Sequence, residues 1–256
     1  SALKAGGTLD ENPAPPKTGP AYPRTVAWWP FTSGPFYGAV DSRHDRDNDV
    51  IYTAAGSFKA GQALPIPAEL TVVADPAKYG RVSQYFLVQL RPSALETDFW
   101  GTLTSLGASI VEQVPVNALI VRANAATYSL LNSSPLVQHV EPYQPAYKLH
   151  PGIGTMPQVS PEAAASPTFT LGVRVFPGEP VNDVLAAARK LGVEVVSAIP
   201  GLDSSNPGWV TLRAHAALVS RLAMIEGVAL ITEENPVKLH GTRGALFMQS
   251  VAGLDG

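Results

Sequence analysis

The chain has 256 residues, of which 45% are hydrophobic and 15% charged, and its formal net charge is −3. That balance supports hydrophobic cores in one to three small domains and carries no basic footprint for nucleic acid or an anionic membrane. The lack of cysteine excludes disulfides, thiolate metal sites and a cysteine nucleophile, and no run approaches the ~20 apolar residues of a membrane-spanning helix.

Residues 1–38 make a poor core. Pro13, Pro15, Pro16, Pro20, Pro23, Pro30 and Pro35 remove backbone donors and favour extended geometry. Trp28, Trp29, Phe31, Phe36 and Tyr37 lie among them, which suits an arm laid across a surface. Residues 39–80 read as irregular, with short apolar pieces at Tyr52 to Phe58 and Leu64 to Val73. Leu64-Pro-Ile-Pro67 reads as an extended strap.

Regular structure is expected from Gln84 to His150. Phe86, Val88 and Leu90 alternate with Leu87 and Gln89, which makes a strand. Ser93 and Glu96 have capping-box spacing, and Leu95, Phe99, Leu103 and Leu106 then build one helix face that ends at Gly107. Strands follow at Ser109 to Val114 and Ala118 to Arg122. Asn124 caps a helix through Leu131 with Tyr128 and Leu131 inward, and Leu136 to Glu141 is a fourth strand. Pro151 to Pro167 reads as a linker.

The order then recurs. Leu171 to Phe176 is a strand, and Val181 to Leu191 a helix with Val181, Leu185, Ala188 and Leu191 inward. Val193 to Ile199 and Trp209 to Leu212 are strands flanking the loop Gly201 to Pro207. Ala214 to Leu222 reads as a helix and Val228 to Thr232 as the last strand. The text repeats as well as the pattern. Leu106-Gly107-Ala-Ser-Ile-Val111 is echoed by Leu191-Gly192-Val-Glu-Val-Val196 at the offset that also relates Phe86 to Leu171, and Lys148-Leu-His150 recurs as Lys238-Leu-His240. The offset is the length of a small domain, beyond a solenoid unit of roughly 20–50 residues. A β-α-β-β-α-β order is the signature of a ferredoxin-like module. The expected fold class is therefore α+β: two tandem ferredoxin-like modules, antiparallel sheets with helices on one face, after a Pro-rich extended arm. The expected boundaries are 1–83 for the arm and lead-in, 84–150 for the first module, 151–167 for the linker, 168–240 for the second module and 241–256 for a further segment.

Candidate chemistry is sparse. Asp45, Asp47 and Asp49, with Asp41 nearby, resemble the start of a calcium loop, since calcium takes several carboxylate oxygens. Val50 stands where that loop needs glycine and Gly56 where it needs glutamate, so a solvated turn is the expectation and no cofactor is assigned. Gly152-Ile-Gly154-Thr-Met-Pro157 imitates a dinucleotide loop, but its third glycine is proline and no helix is expected after it. His44, His139, His150, His215 and His240 have no partners at metal-ligand spacing. Phe99, Trp100, Tyr128 and Trp209 are read as core residues.

Several segments resemble the N-terminal prosegment of multi-domain subtilisin-like serine proteases. They are Tyr85-Phe-Leu-Val-Gln-Leu90, Trp100 with Leu103 and Leu106-Gly107-Ala108, Pro115-Val-Asn-Ala-Leu-Ile-Val-Arg122, and above all Val140-Glu-Pro-Tyr-Gln-Pro-Ala-Tyr-Lys-Leu149. Gly56-Ser-Phe58 and Leu64 to Leu70 resemble the group's lead-in, and Arg243-Gly244 with Met248 and Gln249 the opening of its catalytic domain. The resemblance covers roughly residues 55–256. His240-Gly-Thr242 is followed by Arg243, and the sequence holds no Asp-Thr-Gly, His-Gly-Thr-His or Gly-Thr-Ser-Met-Ala segment, so this chain is not expected to be an enzyme.

The resemblance implies an intramolecular chaperone and inhibitor, secreted or of the cell envelope, whose partner is the catalytic domain of a subtilisin-like protease. It implies that an open sheet face packs on that domain. It also implies that Asn235, Pro236, Val237, Lys238, Leu239, His240 and Gly241 run through the substrate cleft and hold the processing site. Nucleic acid and membrane are not expected partners. A tandem small-ligand regulatory module is the alternative, and a metal-dependent enzyme using the aspartates or His240 is the weaker one.

Overall fold

The structure, a computed structural model, describes residues 50–62, 66–73, 84–92, 99–114, 117–202 and 207–234. The expected arm, the aspartate cluster, the Ser93–Glu96 capping box and the segment from 235 onward lie outside the described residues.

The first described element is a hairpin of β1 (Val50–Thr53) and β2 (Gly56–Lys59). This corrects the irregular reading of that stretch. Ile51 pairs with Phe58 across the ladder, and both are buried. Strands of four residues carry too little alternation to announce themselves, and the pair is defined by what it packs against.

A four-stranded sheet follows, built from β3 (Gln84–Leu90), β4 (Ser109–Val114), β5 (Ala118–Ala123) and β6 (Val137–Pro142). Helix α1 (Phe99–Ser105) connects β3 to β4, and α2 (Ala125–Ser133) connects β5 to β6. The strand order is β4-β5-β3-β6 and every pairing is antiparallel. Asn124 caps α2 by accepting a hydrogen bond from the Thr127 amide at 2.9 Å. Gly107 ends the turn after α1 at φ 80°, a left-handed conformation that is easiest for glycine.

The stretch expected as linker contains a short helix, α3 (Pro161–Ala165), whose N-cap is Ser160. Ile153, Gln158 and Ala164 within it are buried. The second sheet comprises β7 (Thr168–Val175), β8 (Glu194–Ile199), β9 (Trp209–His215) and β10 (Val228–Glu233) in the order β10-β7-β9-β8, again antiparallel throughout. Helix α4 (Val181–Lys190) joins β7 to β8, and α5 (Val219–Ala223) precedes β10. Val184, Leu185 and Ala188 of α4 are buried, while Asp183 and the Arg189-Lys190 pair sit at the ends that the helix dipole favours.

One expected boundary moves. The helix expected from Ala214 is strand up to His215, because Ala214 pairs with Phe169 and faces the core. His215 then caps a 3-10 turn, Ala216–Leu218, that leads into α5. Ladder pairing overrides alanine's helical preference there. The chain is thus α+β, with antiparallel sheets and short helices.

Two cores result. The smaller lies between the first sheet and its helices: Phe86, Val88, Leu103, Val121 and Leu131. The larger unites the opposite face of the first sheet with the hairpin, residues 143–149 and the interior of the second sheet. Aromatic contacts run through it as a chain. Phe58 stacks on Tyr147 with centroids 5.2 Å apart, Tyr147 meets Tyr143 edge-on at 5.6 Å, Tyr143 meets Phe176 at 5.9 Å, and Phe176 stacks on Tyr85 at 4.1 Å. Phe176→Ala removes the ring that both tyrosines pack on, with an expected loss of about 3–5 kcal/mol. Denaturant unfolding followed by fluorescence checks this, and a shift below about 1 kcal/mol would contradict the seam.

Candidate functional site

Strand alternation gives each sheet two faces. In the first sheet Phe86, Val88 and Leu90 join the core that holds the helices. Tyr85 and Leu87 of β3, with Ile120 of β5, point the other way, and they are buried with Ile51, Phe58 and Tyr147. The face expected to be open is therefore covered by the chain's own hairpin and exit segment.

The second sheet differs. Phe169, Leu171, Val173 and Val175 fill its interior. The intervening Thr170, Gly172 and Arg174 share the opposite face with Trp209, Thr211 and Arg213 of β9. Trp209 Nε1 donates to Glu234 Oε1 at 3.0 Å, and Thr211 Oγ1 donates to Glu234 Oε2 at 3.3 Å. Gly172 lies directly beneath: a Cβ there would collide with the Trp209 ring and the Glu234 carboxylate. A glycine within a strand marks such a close approach. Trp209 was expected in the core. Its register, opposite Arg174 on one side and Ile199 on the other, puts it on the outer face instead.

The rim of this face is apolar and exposed. Ile199, opposite Trp209, is 61% accessible, with Val196 nearby at the β8 bulge, and Leu202, three residues on where the strand gives way to the cleft wall, is 84% accessible. Beside them Arg213 makes a two-oxygen contact with Glu194 at 3.1 and 3.2 Å. β8 is an edge strand. The opposite edge, β10, is met by Leu149 in a parallel bridge to Ile231, and the His150 amide donates to Ile231 O at 3.0 Å.

The expected cleft tail, Asn235 to Gly241, starts one residue beyond this face and lies outside the described residues, as do Asp45, Asp47 and Asp49. Its root is fixed by two carboxylates. Glu233 accepts from the Gly154 amide at 2.6 Å and from Gln158 Nε2 at 3.3 Å. Glu234 is the acceptor for Trp209 and Thr211. The glycine loop at 152–157 therefore gives an amide to this chain's own carboxylate. The described histidines have local contacts: His139 Nε2 lies 3.2 Å from Glu141, while His150 and His215 accept from the Gly152 and Ala217 amides. Among the described residues, no three His, Asp or Glu side chains come together to hold a metal ion.

Two features went unseen in the sequence. The first is a cleft of about 500 Å³ between the sheets, lined by Tyr85, Ile110, Arg122, Phe176, Glu179 and Leu202. Tyr85 donates its hydroxyl to Glu179 at 2.5 Å, and Arg122 lies 3.1 Å from the same oxygen. Arg174 spans the units nearby with both Glu112 oxygens, at 2.9 and 3.0 Å. The second is Lys148, buried at the junction with Nζ donating to Ile225 O at 3.0 Å. Its recurrence as Lys148-Leu-His and Lys238-Leu-His was the only sequence signal. Burial pushes the amine down to about 7, with the Glu226 charge opposing. Burial also raises the Tyr85, Tyr143 and Tyr147 hydroxyls, helped at Tyr85 by its bond to Glu179 and at Tyr147 by the charge of Glu141.

These shifts fix the sign of the pH response. Between about 7 and Lys148's ordinary value of 10.5, the unfolded chain holds a proton that the folded one lacks, so stability rises with pH. Above about 10 the unfolded chain loses tyrosine protons that the folded one keeps, so stability falls. Urea midpoints are expected to climb from pH ~7 to ~9.5 and then drop, and Lys148→Met to flatten the climb. A wild-type midpoint flat across that range would contradict a desolvated amine.

No family model matches the chain, and no curated protein does. A solved structure described as an unknown protein from Galdieria sulphuraria is similar over 59% of this chain and 98% of its own, at 19% identity with a TM-score of 0.19. A likeness at that score carries no argument about fold or function.

Proposed function

We propose that the chain is a tandem ferredoxin-like prosegment that templates and inhibits a subtilisin-like serine protease. Supporting the duplication, each four-stranded sheet has the order fourth-first-third-second along its own segment, with helical connections after its first and third strands. The observation that carries the inhibitory reading is the asymmetry of the two outer faces. The first is filled by the chain itself; the second keeps an apolar rim at Ile199 and Leu202. The chain leaves that same unit at Glu234, directly into residues 235–241. On this reading the second unit meets the catalytic domain through the Trp209 face, and 235–241 lies extended in its substrate cleft. The site is a binding surface; its polar groups are committed to one another, and catalysis belongs to the partner. Secretion or the cell envelope follows from the same family reading.

The cleft between the sheets favours a second reading, a regulatory module for a small ligand. Its volume of about 500 Å³ and its place between units fit the usual range for such sites.

The test is inhibition in trans. Added in molar excess to the subtilisin-like catalytic domain of its own reading frame, the chain is expected to suppress peptide hydrolysis. Ile199→Asp should weaken inhibition at least tenfold without lowering the melting temperature, because the side chain is exposed. N-terminal sequencing of the matured protease is expected to place the cut between Leu239 and Gly241. A reading frame without the triad segments, or undiminished hydrolysis, overturns the proposal. Thermal stabilisation by an amino acid in that case favours the ligand reading.

A further inference from the structure

A second cavity, of about 190 Å³, shares the Tyr85 wall with the cleft and shares no lining residue with the Trp209 face. Gln84, Tyr85, Tyr143, Lys148, Met224 and Glu226 line it. Two of its polar groups are buried: Lys148 is 5% exposed and Gln84 7%. Among the described residues Gln84 Oε1 has no hydrogen-bond partner. A buried acceptor left unpaired is costly, so its presence on a cavity wall suits a donor from outside. Lys148 spends one N–H on the Ile225 carbonyl. The same side chain forms part of the cavity wall.

Desolvation has chemical consequences for this amine. An ordinary lysine is almost wholly protonated at neutral pH and has no lone pair to offer. Lys148 titrates at about 7, so roughly half of it is free amine there. Lysines desolvated in apolar pockets become nucleophiles toward carbonyl carbon in this way. The walls suit such an encounter. The buried Tyr85 and Tyr143 rings give it an apolar side and the half-exposed Met224 stands at its mouth, Gln84 Oε1 can accept from a hydroxyl, and the Glu226 charge acts on the amine.

From this juxtaposition we infer that the cavity is a covalent site for a small hydroxyaldehyde, captured by Lys148 as an imine with its hydroxyl bound to Gln84. The amine lone pair adds to the carbonyl carbon, and the carbonyl oxygen takes a proton from the nitrogen to give a carbinolamine. Its hydroxyl leaves with the remaining N–H proton, the one donated to Ile225 O, as water; a C=N bond forms and the Ile225 carbonyl gives up its donor. One amine and one aldehyde thus give one imine and one water. The step uses no residue of the proposed protease-binding face, so it stands or falls separately from the inhibitory reading.

The experiment uses the full chain with a limiting amount of glycolaldehyde and sodium cyanoborohydride, which reduces the imine to a stable amine. Peptide mass mapping then ranks the lysines by rate. Lys148 is expected to be modified several-fold faster than the exposed Lys59 and Lys190 at pH ~7, with the lead shrinking to nothing only toward pH ~11.5, where every lysine is largely deprotonated. Gln84→Leu, which removes an unpaired acceptor, is expected to leave the melting temperature unchanged or raised. It should slow labelling at Lys148 at least threefold while Lys59 and Lys190 keep their rates. Lys148 trailing the exposed lysines in the wild-type chain overturns the site, and an unchanged Lys148 rate in the folded Gln84→Leu chain overturns the role of Gln84.

Discussion

The arrangement of this chain depends on one seam of aromatic rings. Phe58, Tyr147, Tyr143, Phe176 and Tyr85 come from the hairpin, the exit of the first unit, the turn after β7 and the first strand of the first sheet. No two neighbours in that series belong to the same strand or helix. A unit of some 65 residues buries too little surface to be very stable alone. The seam lets both units share one interior, and with it the hairpin and residues 143–149 become core rather than connection. The polar contacts follow from it. Tyr85 donates to Glu179 while its ring is stacked on Phe176, and Arg174 meets Glu112 across the same junction.

That sharing has a price for the first sheet, whose second face is spent on internal packing. The second sheet keeps its outer face, and its polar groups are already satisfied there by Glu234, Trp209 and Thr211. What it offers a partner is shape and apolar rim. On the inhibitory proposal a partner would be held by burial at that rim, while the central network would set register and orientation.

Much of the architecture was legible in the sequence. Alternation at Phe86 to Leu90, the Asn124 cap, and the glycines at 107 and 192 are local signals, and the structure follows each of them. The failures were tertiary. Four-residue strands at Val50 and Gly56 carry no periodicity of their own. Ala214 reads as helix until its pairing with Phe169 is known. Trp209 reads as core because hydrophobicity cannot say which face of a strand is covered. Of the candidate site, the family-like tail and the aspartates lie outside the described residues. Glu179 and Lys148 owe their significance to partners about 94 and 77 positions away, separations that a linear reading does not reach.

The end of β10 has a mechanical meaning. Glu233 and Glu234 are consecutive, so their side chains leave on opposite sides of the sheet. One is moored to the loop at Gly154 and Gln158, the other to Trp209 and Thr211. Together they act like stays on a mast: tension applied to the chain beyond Glu234 is divided between two anchorages before it can peel β10 from β7. Severing the chain anywhere after that point leaves both stays attached, so the cut piece keeps the surface it had when whole. Release from a partner would then depend on the strength of that surface rather than on unfolding.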